Sequence, residues 1–229
     1  MSQQVLLFDF GGTLDADGDP WAVRFHRDYV AGGGRLPFEE FAPIFKLSDR
    51  QLEAEPAVRT MGFRALIDAQ ADLLGRLLPD GRQVDLGRVA DAFHADALVT
   101  VERNRGLLAR LAHRYRLGVA SNFTGNLAPC LDELALLDFF AVIVDSAIVG
   151  WAKPDPRIFQ SALAALATSP TDAWMIGDNP GADIRAAGAL GMRTCWLAPP
   201  EREPPDGITP TARIARLTEL PAVIAPCTD

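Results

Sequence analysis

The stretch Val5-Leu6-Leu7-Phe8-Asp9-Phe10-Gly11-Gly12-Thr13-Leu14 decides how the rest of this chain is read. Its opening apolar run is short, continuous and apolar on both faces, which predicts a strand buried on both sides of a sheet. The run ends in a carboxylate, Asp9, followed by two glycines that permit a tight turn. Backbone N–H groups in such a turn can face an anion. Asp9 is therefore either a strand-end residue capping the turn or a nucleophile, since carboxylates are known to form aspartyl-phosphates.

Similar runs recur downstream at 117–121, 141–145, 173–177 and 193–197, and helix-period stretches lie between them near 104–115, 126–137, 156–168 and 181–191. Strands alternating with helices of this length predict right-handed βαβ units and a parallel sheet covered on both faces. The expected fold class is α/β, a Rossmann-like, doubly wound parallel sheet. Residues 16–99 break the alternation. They offer helical segments near 20–31, 37–46, 60–78 and 84–98, separated by Gly32-Gly33-Gly34, Glu55-Pro56 and Pro79-Asp80-Gly81. The expected division is a core of 1–15 plus 100–229 with an all-helical insert over 16–99. Beyond the Pro-rich stretch 199–206, residues 212–217 suggest an edge strand and 220–224 a short helix.

Bulk properties narrow the function classes. The 229 residues are 48% hydrophobic, enough for a sizeable core, and no apolar run is long enough to span a bilayer. No export signal is expected, because no basic segment followed by an apolar stretch opens the chain. Cys130, Cys195 and Cys227 are scattered and form no CxxC pair, which fits thiols in a reducing cytoplasm. A formal charge of −8 without a basic run argues against nucleic acid as a partner. It does not argue against a phosphate, because one metal ion and one lysine can invert the field in a small pocket.

Four polar clusters fall at carboxyl ends of predicted strands, where ligands bind in open α/β sheets. The first is Asp9. The second, Ser121-Asn122, is either a helix N-cap or a phosphate site at a helix start. The third is Lys153 in Gly150-Trp151-Ala152-Lys153-Pro154-Asp155-Pro156; it is either a solvated loop lysine or a cation offsetting phosphate and Asp9. Asp155-Pro156 reads as the start of the next helix. The fourth cluster is Gly177-Asp178-Asn179-Pro180-Gly181-Ala182-Asp183, either a turn or a hard-oxygen site suited to Mg²⁺.

These four segments resemble, in order, the motifs of the haloacid dehalogenase-like hydrolases, including "KPxPxIF" around Lys153 and "GDxxxxD" from Gly177. The resemblance covers about two-thirds of the chain. It implies a phosphatase-type hydrolase with a C1-type helical cap inserted after the first motif. Asp9 would be the nucleophile, with Ser121 and Lys153 as its catalytic companions. Gly12, Thr13, Ser121, Asn122 and Lys153 would bind phosphate. Mg²⁺ would be held by Asp9, the Gly11 backbone carbonyl and Asp178, while Asp183 would orient Lys153 or a metal-bound water. The implied partner is a small phosphorylated molecule, with no nucleic acid or membrane, in a cytoplasmic monomer or homodimer.

Gly11 departs from this pattern. Phosphatases of the family usually place a second aspartate there as general acid/base, a contribution typically worth about 10²–10⁴-fold. Asp15 is the first candidate substitute, with Asp17, Asp19 and His26 behind it, and Gly11→Asp is expected to raise the turnover of alkyl phosphates more than that of aryl ones. Arg24, Arg27 and Arg64 either face substrate or are surface charges. Two alternatives stay open. One is a metal-independent 2-haloacid dehalogenase-type enzyme, whose branch lacks that aspartate but usually carries tyrosine there and lacks "GDxxxxD". The other is a weakly active or non-catalytic protein that binds phosphate or a partner.

Overall fold

A computed structural model describes residues 3–224. Six strands form one sheet: β1 (Val5–Phe8), β2 (Arg116–Ser121), β3 (Val142–Asp145), β4 (Ala173–Gly177), β5 (Arg193–Leu197) and β6 (Ala212–Ile214). Their order is β3-β2-β1-β4-β5-β6, and every recorded pairing is parallel. The expected α/β, doubly wound parallel sheet is what the chain forms.

β1 lies at the centre, and its alternating side chains explain the layers. Leu6 and Phe8 point into the larger core cluster, whereas Val5 and Leu7 point into the smaller one. The smaller cluster is closed by the helix Pro156–Ala165, through Ile158, Phe159, Ala162 and Leu163. Asp155 caps that helix by accepting from the Arg157 N–H at 3.0 Å, with Pro156 at its first position. The larger cluster continues from the sheet into α1 (Trp21–Ala31), α2 (Phe38–Ala54), α3 (Phe63–Leu77) and α4 (Leu86–Ala112). Cys130 and Cys195 are buried free thiols, and Cys227 lies outside the described residues.

Two helices run further than expected from sequence. The segments 84–98 and 104–115 are one helix, α4, crossing the expected boundary at 99. No Pro or Gly interrupts residues 93–105, and the buried stripe Phe93, Ala97, Val101, Asn104 and Leu108 keeps helical spacing throughout. Asn104 ties this helix to the first turn by donating to the Leu14 carbonyl at 3.0 Å. Likewise α2 continues past residue 46 to Ala54, where Pro56 forces the preceding backbone out of helical geometry. No helix among the described residues is long and apolar enough to cross a membrane.

Candidate active site

The chain runs from β1 outward to β3 and then crosses back to place β4 against β1. That reversal opens a crevice between the carboxyl ends of β1 and β4, the usual ligand position in such sheets. Phe8 pairs with Ile176, and the Asp9 N–H donates to the Ile176 carbonyl at 2.9 Å. Asp9 and Asp178 therefore leave adjacent strands one residue apart in register. Ser121 ends β2 on the other side of β1.

Asp9, Asp178 and Asp183 are buried, and one oxygen of each lies within 4.8 Å of the others. Lys153, also buried, joins them, its Nζ lying 2.8 Å from Asp9 Oδ1 and 2.6 Å from Asp183 Oδ1. Burial alone would lower the lysine, but the Asp183 and Asp9 carboxylates overcome it and hold the ammonium above the usual range. Burial pushes Asp178 well above the ordinary carboxylate range, reinforced by the charges of Asp9 and Asp183. Asp183 is pushed up to about 6 by burial, with Lys153 opposing the shift. Its other oxygen accepts from the Asn179 N–H at 3.0 Å. The five-residue spacing from Asp178 to Asp183 thus returns the second carboxylate beneath the first.

The first turn is wired largely to itself. Phe10 N–H donates to Asp9 Oδ1 at 2.8 Å, and Gly12 N–H donates to Asp15 Oδ1 at 2.7 Å. Gly12, expected to face phosphate, therefore has its N–H engaged by a side chain. Its own constraint is steric: φ is +87° and a Cβ would lie 2.7 Å from Asp178 Oδ2. Thr13 Oγ1 donates to Asp178 Oδ1 at 3.2 Å, so it steadies a carboxylate. Asn122, also expected at the phosphate, braces the third motif instead. Its Nδ2 donates to the Lys153 carbonyl at 2.9 Å, and its Oδ1 accepts from the Lys153 N–H at 2.6 Å.

The first candidate substitute for the missing acid, Asp15, has its carboxylate fully engaged. Asp15 is fully buried, and its carboxylate accepts from Gly12 N–H, from Trp21 Nε1 at 2.8 Å and from Arg24 Nη1 at 2.7 Å. Burial raises its pKa, and the Arg24 charge works against the rise. Asp17 pairs with Arg103 at 2.6 Å, Asp19 with Arg202 at 3.7 Å, and the His26 ring meets the Leu36 carbonyl at 2.9 Å. None of the four lines the cavity. Arg24 is no surface charge, being 1% exposed beneath Asp15 and over the Phe93 ring. Arg27 and Arg64 are partly exposed and paired with acids of their own helical layer.

Above the crevice lies a cavity of about 680 Å³. Asp9, Gly11, Ser121, Asn122 and Asp178 line one side, and Lys46, Asp49, Arg50 and Glu53 of α2 line another. Asp49, Arg50 and Glu53 lie beyond the helix expected at 37–46, and Lys46, its last residue, belongs to no motif that would mark it. Burial beside Glu53 drives Asp49 up to about 7, a shift Gln70 partly opposes. Asp145 was also missed. At the end of β3 it accepts from the N–H groups of Gly125, Leu127 and Ala147 at 2.9–3.1 Å, fixing the loop after Ser121. Its only sequence signal is a carboxylate at a strand end.

Comparison with known proteins agrees with this geometry. A family model described as haloacid dehalogenase-like hydrolase matches residues 3–191. Phosphoserine phosphatase from Thermus thermophilus is 35% identical over 117 residues, 49% of this chain and 47% of that protein. Pyrimidine 5'-nucleotidase YjjG from Escherichia coli is 32% identical over 142 residues, 60% of this chain and 63% of that protein. The chain thus spans between about half and under two-thirds of these relatives' lengths. A crystal structure of 2-haloacid dehalogenase from Pseudomonas syringae superposes with a TM-score of 0.57 at 26% identity, covering 97% of this chain and 98% of that one. A dehalogenase intermediate complex at 18% identity shares the fold with a TM-score of 0.67, over 98% of each chain. The chain belongs to the haloacid dehalogenase-like hydrolases.

Proposed function

We propose that this hydrolase is a Mg²⁺-dependent phosphatase of small phosphorylated molecules, with Asp9 as nucleophile and residues 16–99 as the main part of a C1-type cap. The observation that carries the proposal is the cluster Asp9, Asp178, Asp183 and Lys153 beside a cavity large enough for a small substrate. Three carboxylates against one ammonium leave a deficit of positive charge in a buried place. Asp183 has both oxygens engaged, by Lys153 and by Asn179 N–H. Among the described residues, Asp9 Oδ2, Asp178 Oδ2 and the Gly11 carbonyl accept no hydrogen bond. That hard-oxygen set suits Mg²⁺, which favours one or two carboxylates plus phosphate and water. When bound, the ion would neutralise charge on the phosphoryl group and on Asp9.

The chain's own groups supply the rest. Lys153 offsets the charge gathered between Asp9 and the phosphoryl oxygens, and Asp183 holds that lysine in place. Ser121 offers its hydroxyl to the phosphoryl group from the neighbouring strand end. An Asp9 oxygen forms a bond to phosphorus as the ester P–O bond breaks, and the electron pair leaves on the ester oxygen. Water then attacks phosphorus, releases inorganic phosphate and restores the carboxylate.

Support for phosphoryl transfer also comes from the phosphatase and nucleotidase relatives. The dehalogenase superposition keeps a second reading in play, in which Asp9 attacks carbon and a halide leaves. One assay separates them. Hydrolysis of aryl phosphates that needs Mg²⁺, stops with chelator and falls at least about 10³-fold in Asp9→Asn is the expected result. Halide release from 2-haloacids that survives the chelator would replace this proposal with the second reading.

A further inference from the structure

The side-chain direction of residue 11 is already occupied. A Cβ on Gly11 would lie 3.0 Å from Trp21 Nε1 and 3.3 Å from Trp21 Cδ1. The indole is held there by the Asp15 carboxylate, which Arg24 and Gly12 N–H hold in turn. It also packs edge-on against Phe123 and Phe93, with ring centroids at 6.0 and 5.1 Å. Its one hydrogen-bond donor is engaged by Asp15, so what it presents to the cavity is an apolar ring. Trp21, Phe45 and Phe123 all line that cavity beside Asp9.

Proton donors near Asp9 are scarce. Lys153 is committed to Asp9 and Asp183, Asp15 is sealed, and Asp178 belongs to the proposed metal set. The remaining carboxyl of the cavity, Asp49, stands on the α2 wall. A site with an aromatic wall and no free acid in contact with Asp9 suits a leaving group that is itself planar and departs as a stable anion. We propose that the preferred substrates are phosphate monoesters of phenol-type hydroxyls, the aryl ring seated against Trp21 and Phe123. This rests on the phosphatase reading above. In the first step the bond from Asp9 to phosphorus forms and the P–O(aryl) bond breaks. The electron pair leaves on a phenolate, which takes its proton from bulk water.

The test uses the full chain with Mg²⁺ and a graded set of esters: 4-nitrophenyl, phenyl, benzyl and cyclohexyl phosphate. Benzyl phosphate keeps the ring but must release an alkoxide, so it separates ring recognition from leaving-group chemistry. Turnover is expected to fall at least about 100-fold from phenyl to benzyl, the size of a missing general acid. The KM of benzyl phosphate should stay near that of phenyl and below that of cyclohexyl. Trp21→Leu should raise the KM of both ring-bearing esters about fivefold without narrowing the turnover gap; the wild-type series stands alone should that variant not fold. Equal turnover of phenyl and benzyl phosphate would overturn the inference while leaving the phosphatase reading intact. If Asp49→Asn then abolished only the alkyl activity, Asp49 would be the acid. No hydrolysis of any ester would overturn both.

Discussion

The two walls of the cavity are built on opposite terms. On the sheet side, Asp9, Asp178, Asp183 and Lys153 are all buried, and each side chain is held by a hydrogen bond or ion pair. On the α2 side, Lys46, Asp49, Arg50 and Glu53 line the same space, and none of the four forms an ion pair among the described residues. Preorganised charge is most effective where charge develops in a reaction, because no reorganisation is needed at that moment. Lys46, Arg50 and Glu53 are exposed, so their unpaired charges cost little in water and can pair with whatever enters, while Asp49 is partly buried. On the phosphatase proposal, chemistry falls to the sheet side and substrate choice to the helix side.

The largest effect should come from breaking the rigid wall. Lys153→Met leaves Asp9 and Asp183 buried without their cation, a loss typically of about 3–5 kcal/mol. For a chain of this size that corresponds to a melting temperature lower by roughly 6–20 °C, measured with chelator present. Aryl phosphate turnover should be lost with it. An unchanged melting temperature would show that the cluster is solvated and not the preorganised wall described.

Next is the junction where the two walls meet, at Gly11 and Trp21. Gly11→Asp alone should not deliver the larger gain in alkyl than in aryl turnover expected from sequence, since the indole stands 3.0 Å from the new Cβ. Overpacking of this kind costs about 1–3 kcal/mol, and the single variant should lose stability with little gain in benzyl phosphate turnover. Gly11→Asp with Trp21→Leu makes room, and benzyl turnover should then rise by about 10–100-fold over Trp21→Leu alone. Kinetics on the four variants of that cycle measure the coupling; strict additivity would show that the indole does not control the position.

This junction also marks where sequence stops being informative. Asp9, Ser121, Lys153 and Asp178 could be read from sequence because each follows a short apolar run, and parallel strands bring such ends to one edge. The extent of α2 is hidden because past residue 46 its buried stripe is only Ser48 and Leu52, too little apolar signal to mark the helix as continuing. Trp21 and Arg24 follow Asp15 by 6 and 9 residues, a spacing with no local periodic meaning. Their contact exists only because the chain turns back through Gly18, so tertiary folding alone creates it.

Smaller effects belong to the helix wall. Lys46→Ala or Arg50→Ala should raise KM about two- to fivefold for aryl phosphates bearing a carboxylate, with kcat unchanged. Esters without that carboxylate should be indifferent. A fall in kcat in either variant would move these cations from binding to chemistry.

The smallest effect is a matter of pH. Asp49 rises from 3.8 to about 7 because burial penalises its charge and Glu53 adds repulsion, against the pull of Gln70. Lys46 and Arg50 face the same cavity without pairing with it. Between about pH 4 and 7 the unfolded carboxyl is already ionised while the folded one keeps its proton. The folded state therefore binds more protons in that window, and its stability falls as pH rises through it. Asp49→Asn removes this slope. The variant should gain about 1 kcal/mol on wild type at pH 8, allowing for partial solvent access, and nothing at pH 4. Melting curves of the two proteins across that range provide the measurement. Parallel curves would mean that Asp49 is as well solvated as its neighbours, and that the helix wall holds no charge in reserve for a substrate to neutralise.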